Sequence, residues 1–206
     1  MNLLLNQANR HGLIAGASGT GKTVTLKVMA EGFSKAGVPV FMADVKGDIT
    51  GMCAPGVDSE DMQERIKRFG IEGFTYEGCP VRLWDMLGGQ GIPVRITISD
   101  MGPSLLSRLL ELTEVQEGVL DIVFRIADDK NLLLIDLKDL RSMLNYVAEN
   151  AKEYETTYGK VSSQSVGAIL RKLISIEEEG GDVFFGEPAL DLSEWFACAP
   201  NGQGYV

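Results

Sequence analysis

The feature that most constrains this chain is the glycine-rich segment GASGTGKT at residues 16–23. The segment satisfies every fixed position of the pattern G-x-x-x-x-G-K-[ST]. A short apolar run at residues 13–15 precedes it, and a segment with one apolar helical face follows it as far as Gly37. An apolar run, a glycine loop and a helix in this order are typical of the start of a βαβ unit, which predicts a parallel sheet.

The residues of this loop are suited to binding a triphosphate and a metal ion. Glycines let successive backbone N–H groups approach phosphate oxygens without a Cβ atom in the way. We expect Lys22 to reach the β- and γ-phosphates as a point charge, and we assign it a catalytic role. We expect the Thr23 hydroxyl to bind Mg²⁺, which takes few protein ligands. The predicted nucleotide-binding residues of the loop are Gly16, Ala17, Ser18, Gly19, Thr20, Gly21, Lys22, Thr23 and Val24.

The segment VPVFMAD at residues 38–44 predicts a second buried strand. Asp44 at its end and Lys46 just beyond it are expected to lie at the edge of the nucleotide site. A dinucleotide-binding fold would use an acid near Asp44, but the third glycine of its loop is replaced here by Val24. A GTPase would carry an [NT]-K-x-D motif, which occurs nowhere in the sequence. We therefore favour a triphosphate site that is not specific for guanine.

The following sequence predicts one more helix, two β-like stretches and a long helical region. The run DSEDMQERIKRFG predicts a helix that is capped by Asp58 or Ser59 and ends at Gly70. The runs FTYEGCPVRLWDM and PVRITISDM resemble strands because they are rich in β-branched and aromatic residues. From Pro103 onward, apolar residues recur at helical spacing.

These elements together predict the fold class and its regions. The prediction is an α/β protein, a P-loop NTPase (RecA-like) with a mostly parallel sheet and an inserted helical subdomain, truncated at the C-terminus. We place the nucleotide-binding core at residues 1–102, the helical subdomain at residues 103–181 and a return to the core at residues 182–206. The last residues, GQGYV, are expected to enter a further strand.

The acid that would activate water for ATP hydrolysis is not evident in the sequence. An ATPase of this type needs an apolar strand that ends in two acids. Asp44 is not followed by a second acid, and Asp136 is better explained as the N-cap of a helix. Asp128 and Asp129 continue a helical pattern. We therefore expect the acid to lie on a strand beyond Val206.

Composition narrows the range of partners. The net charge of −10 argues against a chain that grips nucleic acid along its whole surface, because phosphate contacts require Lys and Arg. The sequence has no long apolar run and no signal peptide, so we expect no membrane partner and a cytoplasmic location. Three cysteines, Cys53, Cys79 and Cys198, are far apart in the sequence, and we expect reduced thiols rather than a zinc site or disulfide framework.

Two segments carry a resemblance to a known family. NRHGLIAGASGTGKT and GVPVFMADVKGD resemble the HerA–FtsK superfamily of hexameric DNA-pumping ATPases, and the chain is most similar to its bacterial HerA-like group. The runs SDMGPSLLSRLLELTEVQEGVL, DLKDLRSML and GGDVFFGEPALDL extend the resemblance over nearly the whole chain. His11 matches a histidine that commonly precedes the loop in this superfamily, and residues 44–47 match its D-x-K-G turn.

The resemblance implies a function that the loop alone does not define. It implies ATP as the nucleotide and a ring of six identical subunits that moves on DNA. It also implies that the chain is an N-terminal fragment, so that hydrolysis by this chain stays an open question. The alternative is a module that binds nucleotide without hydrolysing it and so controls assembly or the recruitment of a partner.

Overall fold

The computed structural model describes residues 4–206. The chain divides into two compact units. The first unit contains the residues up to Arg82 together with Leu192–Val206, and the second unit contains Leu83–Asp191. The domain limits predicted from the sequence at residues 102, 103, 181 and 182 describe functional regions, and they stay predictions.

Helices dominate the described part of the chain. The first unit contains α1 (Lys22–Lys35) and α2 (Glu60–Phe69), with short 3-10 helices at Leu5–Gln7, Thr50–Cys53 and Leu192–Phe196. The second unit contains β1 (Trp84–Asp85), β2 (Ile92–Pro93), α3 (Ile98–Leu109), α4 (Glu114–Asp129), α5 (Leu137–Glu149), α6 (Ala151–Tyr158), α7 (Ser163–Ile176), a π-helical turn at Glu177–Gly181 and α8 (Asp182–Phe184). Strands β1 and β2 pair in parallel, with Trp84 opposite Ile92.

The second unit has an extensive apolar core. Helices α3, α4, α5 and α7 pack against one another. Leu120, Leu140, Leu144 and Ile169 are fully buried within this bundle. Burying a leucine side chain contributes about 2 kcal/mol. The core extends over one continuous cluster, from Ile98 in α3 to Phe185 after α8.

Side-chain caps fix where several of these helices begin. The Asp136 carboxylate accepts the backbone N–H groups of Lys138 and Asp139 at the start of α5. The Ser162 hydroxyl accepts the N–H of Ser165 at the start of α7. In the first unit, Ser59 accepts the N–H of Met62 at the start of α2. Each bond satisfies a helical N–H that has no partner inside its own helix.

The first unit is held together mainly by backbone contacts. The buried Ser34 of α1 donates its hydroxyl to the carbonyl of Gly204 at 2.7 Å and accepts the Gly204 N–H through its own carbonyl at 2.9 Å. Val40 donates to Tyr205, and Val206 donates to Pro80. Most large apolar side chains of this unit remain exposed.

The predicted fold class is wrong. The described residues contain only two strands, each of two residues, in place of a mostly parallel sheet. Residues 13–15 and 38–44 form no strand, and Leu13 and Phe41 are 90% and 68% exposed. An apolar run is compatible with a buried strand, but a strand exists only if neighbouring segments supply hydrogen bonds along its length. These segments have no such ladder within residues 4–206.

The helical predictions fared better than the strand predictions. Helices after the glycine loop and after Ser59 are confirmed, and so are those within residues 103–181. The strand predicted at PVRITISDM is wrong, because only Pro93 lies in a strand and α3 begins at Ile98 after a Thr97 cap. The expected strand at GQGYV is reduced to an isolated bridge between Cys198 and Gly204.

Candidate functional site

The glycine loop runs directly into the first turn of α1. Gly19 and Gly21 adopt φ angles of 79° and 91°, in the left-handed region that other residues rarely occupy. Gly21 is the N-cap of α1, so the helix predicted to follow the loop begins at Lys22. A Cβ atom on Gly16 would lie 2.5 Å from the Thr20 hydroxyl oxygen. The loop therefore depends on glycine for its backbone angles at two positions and for space at a third.

Two side chains hold the loop in its present shape. The Lys22 ammonium donates to the carbonyls of Gly16 and Ala17, each at 2.8 Å. The Thr20 hydroxyl donates to the same Ala17 carbonyl at 2.8 Å. The lysine therefore hydrogen-bonds to backbone oxygens of its own loop. Its ammonium group would have to leave these two carbonyls before it could contact an anion.

The first turn of α1 presents backbone N–H groups without a side-chain cap. Gly21 has no side chain, and the first turn contains no acidic residue. Residues 17–20 are exposed, whereas Lys22 and Thr23 are half-buried. Val24 is 51% exposed. Because the first N–H groups of a helix have no intrahelical acceptor and lie at its positive end, this turn can accept an anion.

Asp44 organises a loop of its own. Its carboxylate accepts the N–H groups of Ile49 and Gly47, each at 2.8 Å, and that of Lys46 at 3.2 Å. These bonds lower the pKa of Asp44 below its ordinary value, and the bond from Ile49 has the largest effect. The Lys46 side chain is exposed. Both Asp44 oxygens are thus committed to the turn that follows the segment at residues 38–44.

The other acids considered for water activation lie at the ends of helices. Asp136 caps α5, as the sequence predicted. Asp128 and Asp129 lie in the last turn of α4, also as predicted. Asp129 accepts the hydroxyl of Tyr158 at 2.7 Å. His11 is exposed at the start of the segment that leads into the glycine loop.

A second aspartate loop, at Asp85, was not predicted from the sequence. Asp85 in β1 accepts the N–H groups of Gln90, Leu87 and Gly89 at 2.8–2.9 Å. The bonds from Gln90 and Leu87 are the main causes that lower the pKa of Asp85. The signal was present in the sequence, because DMLGGQG, like DVKGD, places glycines a few residues after an aspartate.

The structure thus defines a mostly helical protein in which a glycine loop opens the first long helix. A family model described as helicase HerA-like C-terminal matches residues 1–206. The chain belongs to this HerA-like family, which confirms the resemblance found in the sequence, and it is a helicase-like protein. Searches of curated proteins and of solved structures returned no match. Among residues 4–206, no helix is both long enough and apolar enough to cross a membrane.

Proposed function

We propose that the loop at residues 16–23 binds the phosphates of ATP, so that the chain supplies the nucleotide-binding site of a HerA-like DNA-translocating ATPase. The observation that carries this proposal is the junction of loop and helix at Gly21. There, an uncapped helix start meets a glycine turn and a lysine whose ammonium contacts only neutral backbone oxygens of its own loop. An anion in this turn would contact both the positively charged Lys22 ammonium and several backbone N–H donors.

We expect different residues of the loop to balance the phosphate charge, to supply backbone contacts and to bind the metal. Lys22 would exchange the Gly16 and Ala17 carbonyls for phosphate oxygens and so balance their charge. The backbone of residues 16–21, with Val24 in the first helical turn, would supply the remaining contacts. Thr23 would hold Mg²⁺ through its hydroxyl, and Mg²⁺ supplies neutralisation of charge that develops on the phosphates during hydrolysis. Thr23 follows Lys22 in the first turn, which suits a ligand for a phosphate-bound metal.

Asp44 and Lys46 complete the proposed site at its edge. Asp44 would act by fixing its turn, since its oxygens already accept three backbone N–H groups. That turn presents the exposed Lys46. Lys46 would add a second positive charge near the nucleotide.

The proposal includes a cellular location, an oligomeric state and a partner. We place the protein in the cytoplasm, as a ring of six copies that acts on DNA. A ring would allow an acidic chain to contact DNA through a few loop residues repeated in each copy. A light-scattering mass in the presence of Mg-ATP tests the ring directly. A mass that stays at one copy at all protein concentrations would contradict it.

A second candidate is a module that binds ATP without hydrolysing it. The engagement of Asp44 within its own turn and of Asp136 as a helix cap favours this candidate for the present chain. Nucleotide binding would then control assembly or partner recruitment. The two candidates share the same binding site and differ only in turnover.

Calorimetry with Mg-ATP tests binding, and phosphate release in the same samples tests turnover. Lys22→Ala should weaken binding at least about tenfold, because one charge-assisted contact contributes about 1.5–3 kcal/mol. Lys27→Ala, which removes a lysine from the next turn of α1, is the matched control and should bind as the wild type does. Equal binding by both variants, or none by the wild type, would refute the phosphate-binding proposal.

The metal is tested with Thr23. Thr23→Val should abolish the gain in ATP affinity that Mg²⁺ provides, whereas Thr23→Ser should retain it because the hydroxyl remains. Lys22-dependent phosphate release would select the ATPase. Binding without phosphate release would select the non-hydrolysing module.

A further inference from the structure

Cys53 and Cys79 lie in two segments of the first unit that touch through their backbones. The N–H of Cys79 donates to the carbonyl of Met52 at 2.8 Å. Gly78 is in such close contact with Cys53 that a Cβ atom at position 78 would collide with the Cys53 carbonyl. Although the two cysteines are distant in the sequence, the fold brings their peptide groups together.

The backbone bond sets an upper limit on their separation. From the Cys79 N–H···O bond and standard peptide geometry, the Cα atoms of Cys53 and Cys79 are at most about 6.5 Å apart. Disulfides form between Cα atoms about 4.4–6.8 Å apart. The Cα separation is therefore within the upper limit for a disulfide.

We infer that Cys53 and Cys79 form a reversible intramolecular disulfide when hydrogen peroxide oxidises the protein. The thiolate of Cys53 attacks the peroxide, so that a Cys53 sulfenic acid forms and one water is released. The Cys79 sulfur then attacks the Cys53 sulfur, which forms the S–S bond and releases a second water. Two thiols are oxidised and one peroxide is reduced to two waters, and a dithiol reductant reverses the change.

The environments of the two thiols assign their order. Cys53 is exposed, so a peroxide can reach it directly. Cys79 is half-buried, and burial, with the nearby Glu31, raises the pKa of its thiol. Cys79 is therefore the weaker first nucleophile and acts as the resolving thiol. Cys198 donates its S–H to the carbonyl of Gly37.

The bridge would tie the Asp44 turn to the helix that follows the glycine loop. Cys53 ends the 3-10 helix Thr50–Cys53, which follows the turn that Asp44 holds. Next to Cys79, the carboxylate of Glu77 lies 3.6 Å from the ammonium of Lys35 in α1. The inference does not depend on ATP binding, because it rests on the contact between the two cysteine segments.

Peptide mapping of the full chain after peroxide treatment tests the inference. The reduced protein is treated with a small excess of hydrogen peroxide, alkylated and digested. The wild type should lose two of its three free thiols, show a linked Cys53–Cys79 peptide pair and recover both thiols with dithiothreitol. The same treatment in urea should give this link at least about tenfold more slowly, because proximity in the fold is then lost.

Single variants separate the pair from general oxidation. Cys198→Ser should form the bridge as the wild type does. Cys53→Ser and Cys79→Ser should form no intramolecular bridge. Circular dichroism of each variant checks that its helices are intact. Oxidation of Cys53 to sulfinic acid without a link, a link to Cys198, or links only between chains in the wild type would each overturn the inference.

Discussion

The two units differ greatly in how many apolar side chains they bury. The second unit encloses a continuous cluster of leucine, isoleucine and valine side chains between its helices. In the first unit, Ala30 is the one apolar side chain among the described residues that is fully buried, and Leu13, Val28 and Phe41 are largely exposed. The stability of the second unit therefore rests on packing, whereas that of the first depends on backbone hydrogen bonds and tight glycine contacts.

The largest expected effect comes from the core of the second unit. Leu144→Ala should lower its free energy of unfolding by about 3 kcal/mol, because Leu144 is fully buried and the substitution leaves a cavity. Leu133→Ala removes the same atoms from a side chain that is 76% exposed and should have little effect. Urea unfolding followed by circular dichroism measures both. Similar losses for the two variants would contradict the description of a packed core.

In the first unit, we expect the largest loss of stability from a Cβ methyl group added at Gly204. A Cβ atom there would collide with the backbone of Val38 and Pro39. Gly204→Ala should therefore break the contact with Ser34 and destabilise the first unit by about 1–3 kcal/mol. Gly12→Ala is the matched control, since nothing lies within 4 Å of a Cβ atom at that position. Limited proteolysis, which reports local opening, should separate the two variants, and equal cleavage rates would argue against the Gly204 contact.

A gain of stability should be available in both units. Gly32 in α1 and Gly118 in α4 each have free space for a Cβ atom and lie inside helices. Alanine at either position should stabilise its helix by up to about 1 kcal/mol. Thermal unfolding measures the gain for each variant. Gly118→Ala should raise the melting temperature of the helical core, whereas Gly32→Ala should lower only the rate of proteolysis of the first unit. A loss of stability in either variant would contradict the expected gain.

The difference between the units also explains what the sequence predicted. Helices are local, so the helical spacing of apolar residues from Pro103 onward and the Asp136 cap sufficed to locate α5. Strands depend on partners elsewhere in the chain. The apolar run at residues 13–15 therefore carried no information about whether a partner segment was in reach. For this reason the sheet was predicted wrongly although the helices were confirmed.

The candidate site was predictable only in part for the same reason. The glycine pattern located the loop and the start of α1 at Lys22, since these follow from local backbone requirements. The carbonyl partners of Lys22 and the N–H partners of Asp44 depend on loop shapes that no periodicity encodes. The closeness of Cys53 and Cys79 depends on long-range backbone contacts, which the sequence does not reveal.

The smallest expected effect concerns the two aspartate loops, one in each unit. Backbone N–H groups, first of all those of Ile49 and Gln90, lower the pKa values of Asp44 and Asp85 below the ordinary value of 3.8. A lowered pKa means that each carboxylate stabilises its loop above pH 3.8 and loses this contribution as the pH falls through its own lower pKa. Carboxyl carbon chemical shifts across an acid titration should show both residues titrating below the ordinary value of 3.8.

Asn substitutions at Asp44 and Asp85 compare how strongly each unit depends on the hydrogen bonds of its aspartate loop. Asp44→Asn and Asp85→Asn keep one acceptor oxygen but remove the charge, so each variant should lose the acid-dependent part of its own loop's order while the other loop titrates unchanged. Amide shifts of Gly47 and Gly89 report the two loops separately. If protonation disturbed Gly47 more than Gly89, the first unit would depend more on its loop bonds, as expected from the few buried apolar side chains among its described residues. The reverse order would mean that packing, rather than these bonds, holds the Asp44 turn.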